Sequence, residues 1–186
     1  MLKKKTDYLA LLRGINVGGK NLIKMNELQE LFEALNFTDV KTYIQSGNIL
    51  FKDDNKDKLE IAGKIEKALF DKMKNEIKVL ILTLSDLKYL VDNIPDGFGA
   101  EYEKFKYDVI FLIKPLTTKQ VLRELPAKKG DDEIYEGKNA FYIKRSIKKL
   151  SGSYLIKIIK TPIWQNMTVR NWNTTKKLYE LLLERK

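Results

Sequence analysis

Two short segments of this chain hold most of the residue types that could grip an anionic or hydrogen-bonding ligand. The first, Arg13-Gly14-Ile15-Asn16-Val17-Gly18-Gly19-Lys20-Asn21, combines two cations, two primary amides and three glycines. The second, Gln45-Ser46-Gly47-Asn48, adds two amides, a hydroxyl and a glycine. Glycine lets a ligand approach the backbone closely, and successive exposed N–H groups form a concave site for an anion. On that chemistry Arg13 and Lys20 would supply charge. Asn16, Asn21, Gln45, Ser46 and Asn48 would supply hydrogen bonds, and Gly14, Gly18, Gly19 and Gly47 close backbone approach. A third pair, Arg170-Asn171, joins the candidates because neither residue has an evident structural duty before the last helical stretch. Each glycine and asparagine also has an ordinary reading as a turn former.

The first segment nearly matches the phosphate-binding pattern G-x-x-x-x-G-K-[ST], but Asn21 stands where the magnesium-ligating hydroxyl belongs. Helical periodicity also resumes several residues late, so nucleoside triphosphate hydrolysis is not expected, whereas phosphate binding without hydrolysis, with Lys20 and the local amides as ligands, stays open. The chain has no His and no Cys. That excludes a Ser-His-Asp triad, a thiol nucleophile and the nitrogen and sulfur ligands zinc prefers. Acid–base work would fall to Asp, Glu, Lys or Tyr. No metal site is expected, and no cofactor follows from these residues. Three function classes stay open. One is a binding module for a phosphate-bearing small molecule or nucleic acid at Gly14–Asn21 and Gln45–Asn48. Another is an enzyme using Lys20 or a buried carboxylate, and the third is a structural or protein-interaction role.

With 186 residues, 44% of them apolar, the chain has material for one large or two small cores. No apolar run approaches the ~20 residues of a membrane span, and no signal-like segment opens the sequence, so a cytoplasmic protein with no membrane partner is expected. Oligomeric state is not legible. The formal net charge is +10, and 30 of the 35 basic residues are Lys. From Gly137 through Tyr179 there are eight Lys and two Arg but no Asp or Glu, interleaved with Phe141, Tyr142, Tyr154, Trp164, Trp172 and Tyr179. Basic residues with stacking aromatics suit a polyanion, while a solvated face over an aromatic core is the competing explanation.

The elements that must position these residues follow from periodicity. Strands are expected at Tyr8–Arg13, Val40–Gln45, Ile49–Phe51 and Ile77–Leu84. Helices are expected over Glu27–Asn36, from Asp57 to Asn75, and after Ser85. Asn26 with Gln29, Asp57 with Glu60, and Thr117 with Gln120 have capping-box spacing. The second half repeats the order: a strand at Asp108–Ile113 and a helix with Val121, Leu122 and Leu125 inward. Next come a hairpin around Gly137-Lys138-Asn139, a helix at Ser151–Lys160, a strand at Met167–Arg170 and a helix at Thr174–Glu184. The expected fold is therefore α+β, with two ferredoxin-like βαββαβ repeats, each followed by a helix. Pro95-Asp96-Gly97-Phe98-Gly99 suggests domains at 1–94 and 108–186 with a linker at 95–107. In a split βαβ path the loop after the first strand and the hairpin turn share one sheet edge, which would bring Gly14–Asn21 to Gln45–Asn48. The usual strand aromatics of an RNA-binding sheet are missing from the first half, and core packing better explains Phe111, Phe141 and Tyr142.

Leu11 through Asn21, Thr42-Tyr43-Ile44-Gln45-Ser46-Gly47-Asn48, and Arg170-Asn171-Trp172-Asn173-Thr174 with Lys177-Leu178 together resemble the bacterial domain of unknown function 1697 family. The resemblance spans nearly the whole chain. It implies a cytoplasmic α+β protein with ferredoxin-like halves, and it implies no reaction.

Overall fold

The computed structural model describes residues 5–124 and 132–185. Leu125, expected on the inner stripe of a helix, lies outside the described residues. The chain divides into two compact units, Met1–Leu87 with Leu178–Lys186, and Lys88–Lys177.

The first unit opens with strand β1 (Thr6–Leu12), helix α1 (Met25–Ala34) and the hairpin of β2 (Thr38–Tyr43) with β3 (Asn48–Asp53). Helix α2 (Lys58–Met73), strand β4 (Val79–Thr83) and helix α3 (Leu84–Asp92) follow, α3 ending beyond Leu87. The sheet order is β2-β3-β1-β4 with every pair antiparallel, as a ferredoxin-like split βαβ path requires. On one face Tyr8, Ala10 and Leu12 of β1 meet Phe32 of α1 and Ile65 and Leu69 of α2 in a closed core. Alternation along β1 turns Leu9 and Leu11 to the other face, and they too are fully buried. Asp57 caps α2 as its spacing predicts, accepting the N–H groups of Leu59 and Glu60. The capping box expected at Asn26 does not form. Helix α1 starts earlier, with Lys24 at its N-cap, and Gln29 donates to Glu33 instead.

In the second unit β5 (Phe105–Leu112) and α4 (Thr118–Glu124) lead to β6 (Glu133–Gly137) and β7 (Ala140–Ser146). A 3-10 turn (Ile147–Gly152), α5 (Tyr154–Ile159), a second 3-10 turn (Pro162–Asn166) and β8 (Met167–Asn171) come next, and α6 (Trp172–Leu183) begins there. The order β6-β7-β5-β8 repeats that of the first sheet. Thr117 and Gln120 form the expected reciprocal box, the Thr117 N–H donating to Gln120 Oε1 and the Gln120 N–H to Thr117 Oγ1. Where one helix is expected over Ser151–Lys160, the chain forms a 3-10 turn and then α5. Ser153 Oγ accepts the Leu155 N–H, and the buried Asp132 carboxylate accepts both Ser153 Oγ–H and the Tyr154 N–H. Ile110, Leu112, Phe141 and Ile143 pack against Val121, Tyr154, Leu155 and Ile158. Phe111, Phe141 and Tyr142 are all buried, so these rings form no open platform for single-stranded RNA.

On the second sheet's other face, Phe98 lies edge-on to Tyr107, Tyr142 and Trp172, at centroid distances of 4.9, 5.6 and 5.7 Å. The Tyr142 hydroxyl donates to the Leu90 carbonyl at 2.7 Å, and burial pushes its pKa up to about 12. A phenol held neutral in the fold stabilises it fully below its unfolded pKa, and that stabilisation is lost as pH rises through the folded value. An absorbance titration at alkaline pH should show one of the nine tyrosines ionising last, near pH 12. Tyr142→Phe should delete that step alone. A Tyr142→Phe variant whose last step is unchanged would assign it elsewhere.

Candidate functional site

Loop and turn meet at the C-terminal end of β1, and Asn16 joins them. Its side-chain Nδ2 donates to the Ile23 and Gln45 carbonyls, each at 3.0 Å, while its Oδ1 accepts the Ile23 N–H at 2.9 Å. Asn16 has a φ of 54°, a left-handed conformation that asparagine tolerates better than most residues. The same hairpin turn also docks on the end of β1, where the Leu12 N–H donates to the Gly47 carbonyl at 2.8 Å.

Between Asn16 and Asn21 the loop folds into a miniature hairpin. The Lys20 N–H donates to the Val17 carbonyl and the Asn16 N–H to the Asn21 carbonyl. Gly18 and Gly19 occupy its tip with φ of 59° and 73°, which suits a tight two-residue turn. The letters that resemble a phosphate-binding loop are thus explained by turn geometry, and Gly18, Gly19 and Lys20 stand exposed at the tip. Asn21 is tied down at both ends, donating to the Gly14 carbonyl and accepting from Asn75 Nδ2. Partial burial lowers the pKa of Arg13, whose backbone N–H donates to Lys78. Asn48 is fully buried, its amide donating to the Tyr43 carbonyl and Ser46 Oγ. The expected strand through Gln45 ends at Tyr43. Ile44 instead enters the turn at φ 48°, a strained conformation for a β-branched side chain that is nonetheless 49% exposed.

Of the candidate residues, Asn16 and Gln45 line an open cavity of about 710 Å³. Its remaining wall is Leu22, Ile23, Lys24, Met25, Asn26 and Glu27, the run leading into α1. Sequence reading missed this run because it looked to the glycines. The loop of residues 14–24, longer than the ~2–6 usual for such a connection, points to a site, but the candidates taken from it end at Asn21. Lys24 offers the first-turn N–H groups no side-chain acceptor. Glu27, the one acid in the wall, is paired with Lys72 at 3.4 Å. The exposed Lys24 ammonium and the positive end of α1 therefore set the local potential.

The family described as protein of unknown function (DUF1697) matches residues 5–142, which include this whole constellation. The chain belongs to that family. A solved structure of a conserved bacterial protein from Streptococcus pneumoniae is similar throughout. It is 28% identical, with a TM-score of 0.84, and the match covers 96% of this chain and 99% of that one. No curated protein matches the chain. Among the described residues no helix is long and apolar enough to cross a membrane.

Arg170 and Asn171 fall beyond the matched range, in the second unit, and each has a structural role that sequence reading did not foresee. Asn171 Oδ1 accepts the Asn173 N–H at the start of α6, which begins two residues before its expected first residue. Asn171 Nδ2 also donates to the Tyr107 carbonyl. Arg170 is buried in β8, where its guanidinium donates to Thr168 Oγ1 and the Val169 carbonyl. Burial pushes its pKa down to about 10.

Proposed function

We propose that this member of the family is a binding module for a phosphate-bearing small molecule, held in the cavity at the loop end of the first sheet. The carrying observation is the Asn16 clamp, which fixes the Gln45 wall against the start of α1 around an open cavity of about 710 Å³. That volume falls within the ~300–1,000 Å³ usual for small-molecule sites. Lys24 supplies charge, the Asn16–Gln45 wall supplies shape, and Leu22, Ile23 and Met25 supply apolar surface for the rest of the ligand. Ile44, strained and exposed beside Gln45, adds support, because strain of this kind concentrates where a side chain must be presented. The chain's lack of His and Cys favours binding over turnover.

A thermal-shift series with inorganic phosphate, pyrophosphate and nucleotides tests the reading. A ligand at 100 times its dissociation constant adds about 2.7 kcal/mol, a readily measured rise in melting temperature. Lys24→Gln should weaken the responding ligand about tenfold, the scale of one partly solvated charge-assisted hydrogen bond, with folding intact. The proposal fails if no phosphate compound shifts the melt, or if Lys24→Gln binds as tightly as the parent.

A further inference from the structure

The net charge of this protein has one address. Residues 137–177 contain eight Lys, two Arg and no acid, whereas the rest of the chain has 25 basic and 25 acidic residues. All of the +10 therefore resides in this part of the second unit. The fold offsets some of it. Lys144 pairs with Glu133 at 2.9 Å and lies over the Phe105 ring, and Arg145 pairs with Asp108. Arg170 is buried. Lys148 and Lys149 of the 3-10 turn, and Lys157 and Lys160 at the end of α5, stand exposed.

We infer that these four lysines form a second, separate binding surface, for the phosphate backbone of nucleic acid. The side chains specify what it reads. Phe141, Tyr142, Tyr154 and Trp172 are buried and Trp164 packs half-buried against the second core, so the rings of the stretch form no open stacking platform for bases. Lysine is a compact point charge without the fork that reads guanine bidentately. What remains is attraction to phosphates, independent of sequence and accompanied by counterion release. An anionic membrane is the weaker partner for this surface. Helix α5 turns Tyr154, Leu155 and Ile158 into the second core, and the large apolar side chains left exposed beside these lysines, Ile147 and Ile159, fall short of the broad face that enters a bilayer.

The test is fluorescence anisotropy of the full chain with labelled single strands and duplexes of unrelated sequences, over a salt series. Binding at low salt should be indifferent to sequence, and log affinity should fall linearly with log salt at about −0.9 per phosphate engaged on a duplex. Replacing Lys148, Lys149, Lys157 and Lys160 together by Gln should flatten that slope by about 3 to 4 and weaken low-salt binding at least ~100-fold. The variant's melting temperature verifies its fold. A control in which the exposed Lys5, Lys41, Lys67 and Lys74 of the first unit become Gln should keep the parent slope. No binding at low salt would overturn the inference, as would equal losses in both variants. Capture by vesicles containing phosphatidylserine with no capture of nucleic acid would also overturn it, in favour of a lipid surface.

Discussion

Gly47→Ala is expected to cost the first unit about 2–5 kcal/mol, the sum of a left-handed backbone penalty and an overpacked core. Gly47 sits at φ 69°, and a Cβ there would lie 2.9 Å from Leu12 Cβ, 3.2 Å from Ile15 Cβ and 3.3 Å from the Leu12 carbonyl oxygen. None of these atoms is the free end of a flexible side chain. Leu12 is a central-strand residue and Ile15 is 1% exposed, so neither gives way without moving the core. The Gly47 carbonyl also receives the Leu12 N–H, and displacement of the turn would sacrifice that bond. Urea unfolding should show a lower midpoint at an unchanged slope. A loss below about 1 kcal/mol, the ordinary scale of a surface change, would mean the turn is not seated as described.

Asn16→Ala should be nearly as damaging, at about 2–4 kcal/mol, because three hydrogen bonds worth ~0.5–1.5 kcal/mol each disappear together. Alanine also tolerates φ 54° less well than asparagine. Asn16→Asp separates the bonding from the backbone term. Aspartate adopts the same backbone and can still accept the Ile23 N–H, but it turns a negative oxygen toward the Ile23 and Gln45 carbonyls that Asn16 donates to. It should therefore fail almost as badly as alanine at neutral pH and partly recover as the carboxyl protonates. On the proposed function both variants should also weaken phosphate binding, because Asn16 and the Gln45 it holds line the cavity. If Asn16→Asp proves as stable as the parent, the amide is not the clamp.

The path of each sheet was legible because periodicity placed the strands, and hairpin geometry left one ferredoxin-like order for them. From that order it followed that the loop after β1 would reach the β2–β3 turn, and the bond from Asn16 to the Gln45 carbonyl shows the meeting. What escaped was the assignment of individual side chains. Ile44 reads as strand because its local preference is for strand, and the turn overrides that preference with a left-handed backbone. Gly18, Gly19 and Lys20 read as ligand-binding residues, yet hydrogen bonds within residues 16–21 make them a hairpin tip. Asn48 reads as a ligand, but its amide serves the turn beneath the site. Arg170 and Asn171 lacked a structural duty in one dimension because Thr168, Tyr107 and Asn173 meet them only in the fold or at the helix start. Lys24 escapes because the capping-box spacing of Asn26 with Gln29 points two residues further on, whereas α1 starts at Met25 with no side-chain acceptor at its N-cap.

The most direct measurement is a backbone-amide NMR titration of the full chain with pyrophosphate. Saturable shifts should appear at Asn16, Gln45 and the run from Lys24 to Glu27, with the Gly18–Gly19 tip responding less. If those amides stay still while the added anion leaves the cavity wall untouched, the loop end of the first sheet is a well-made scaffold and not a binding site.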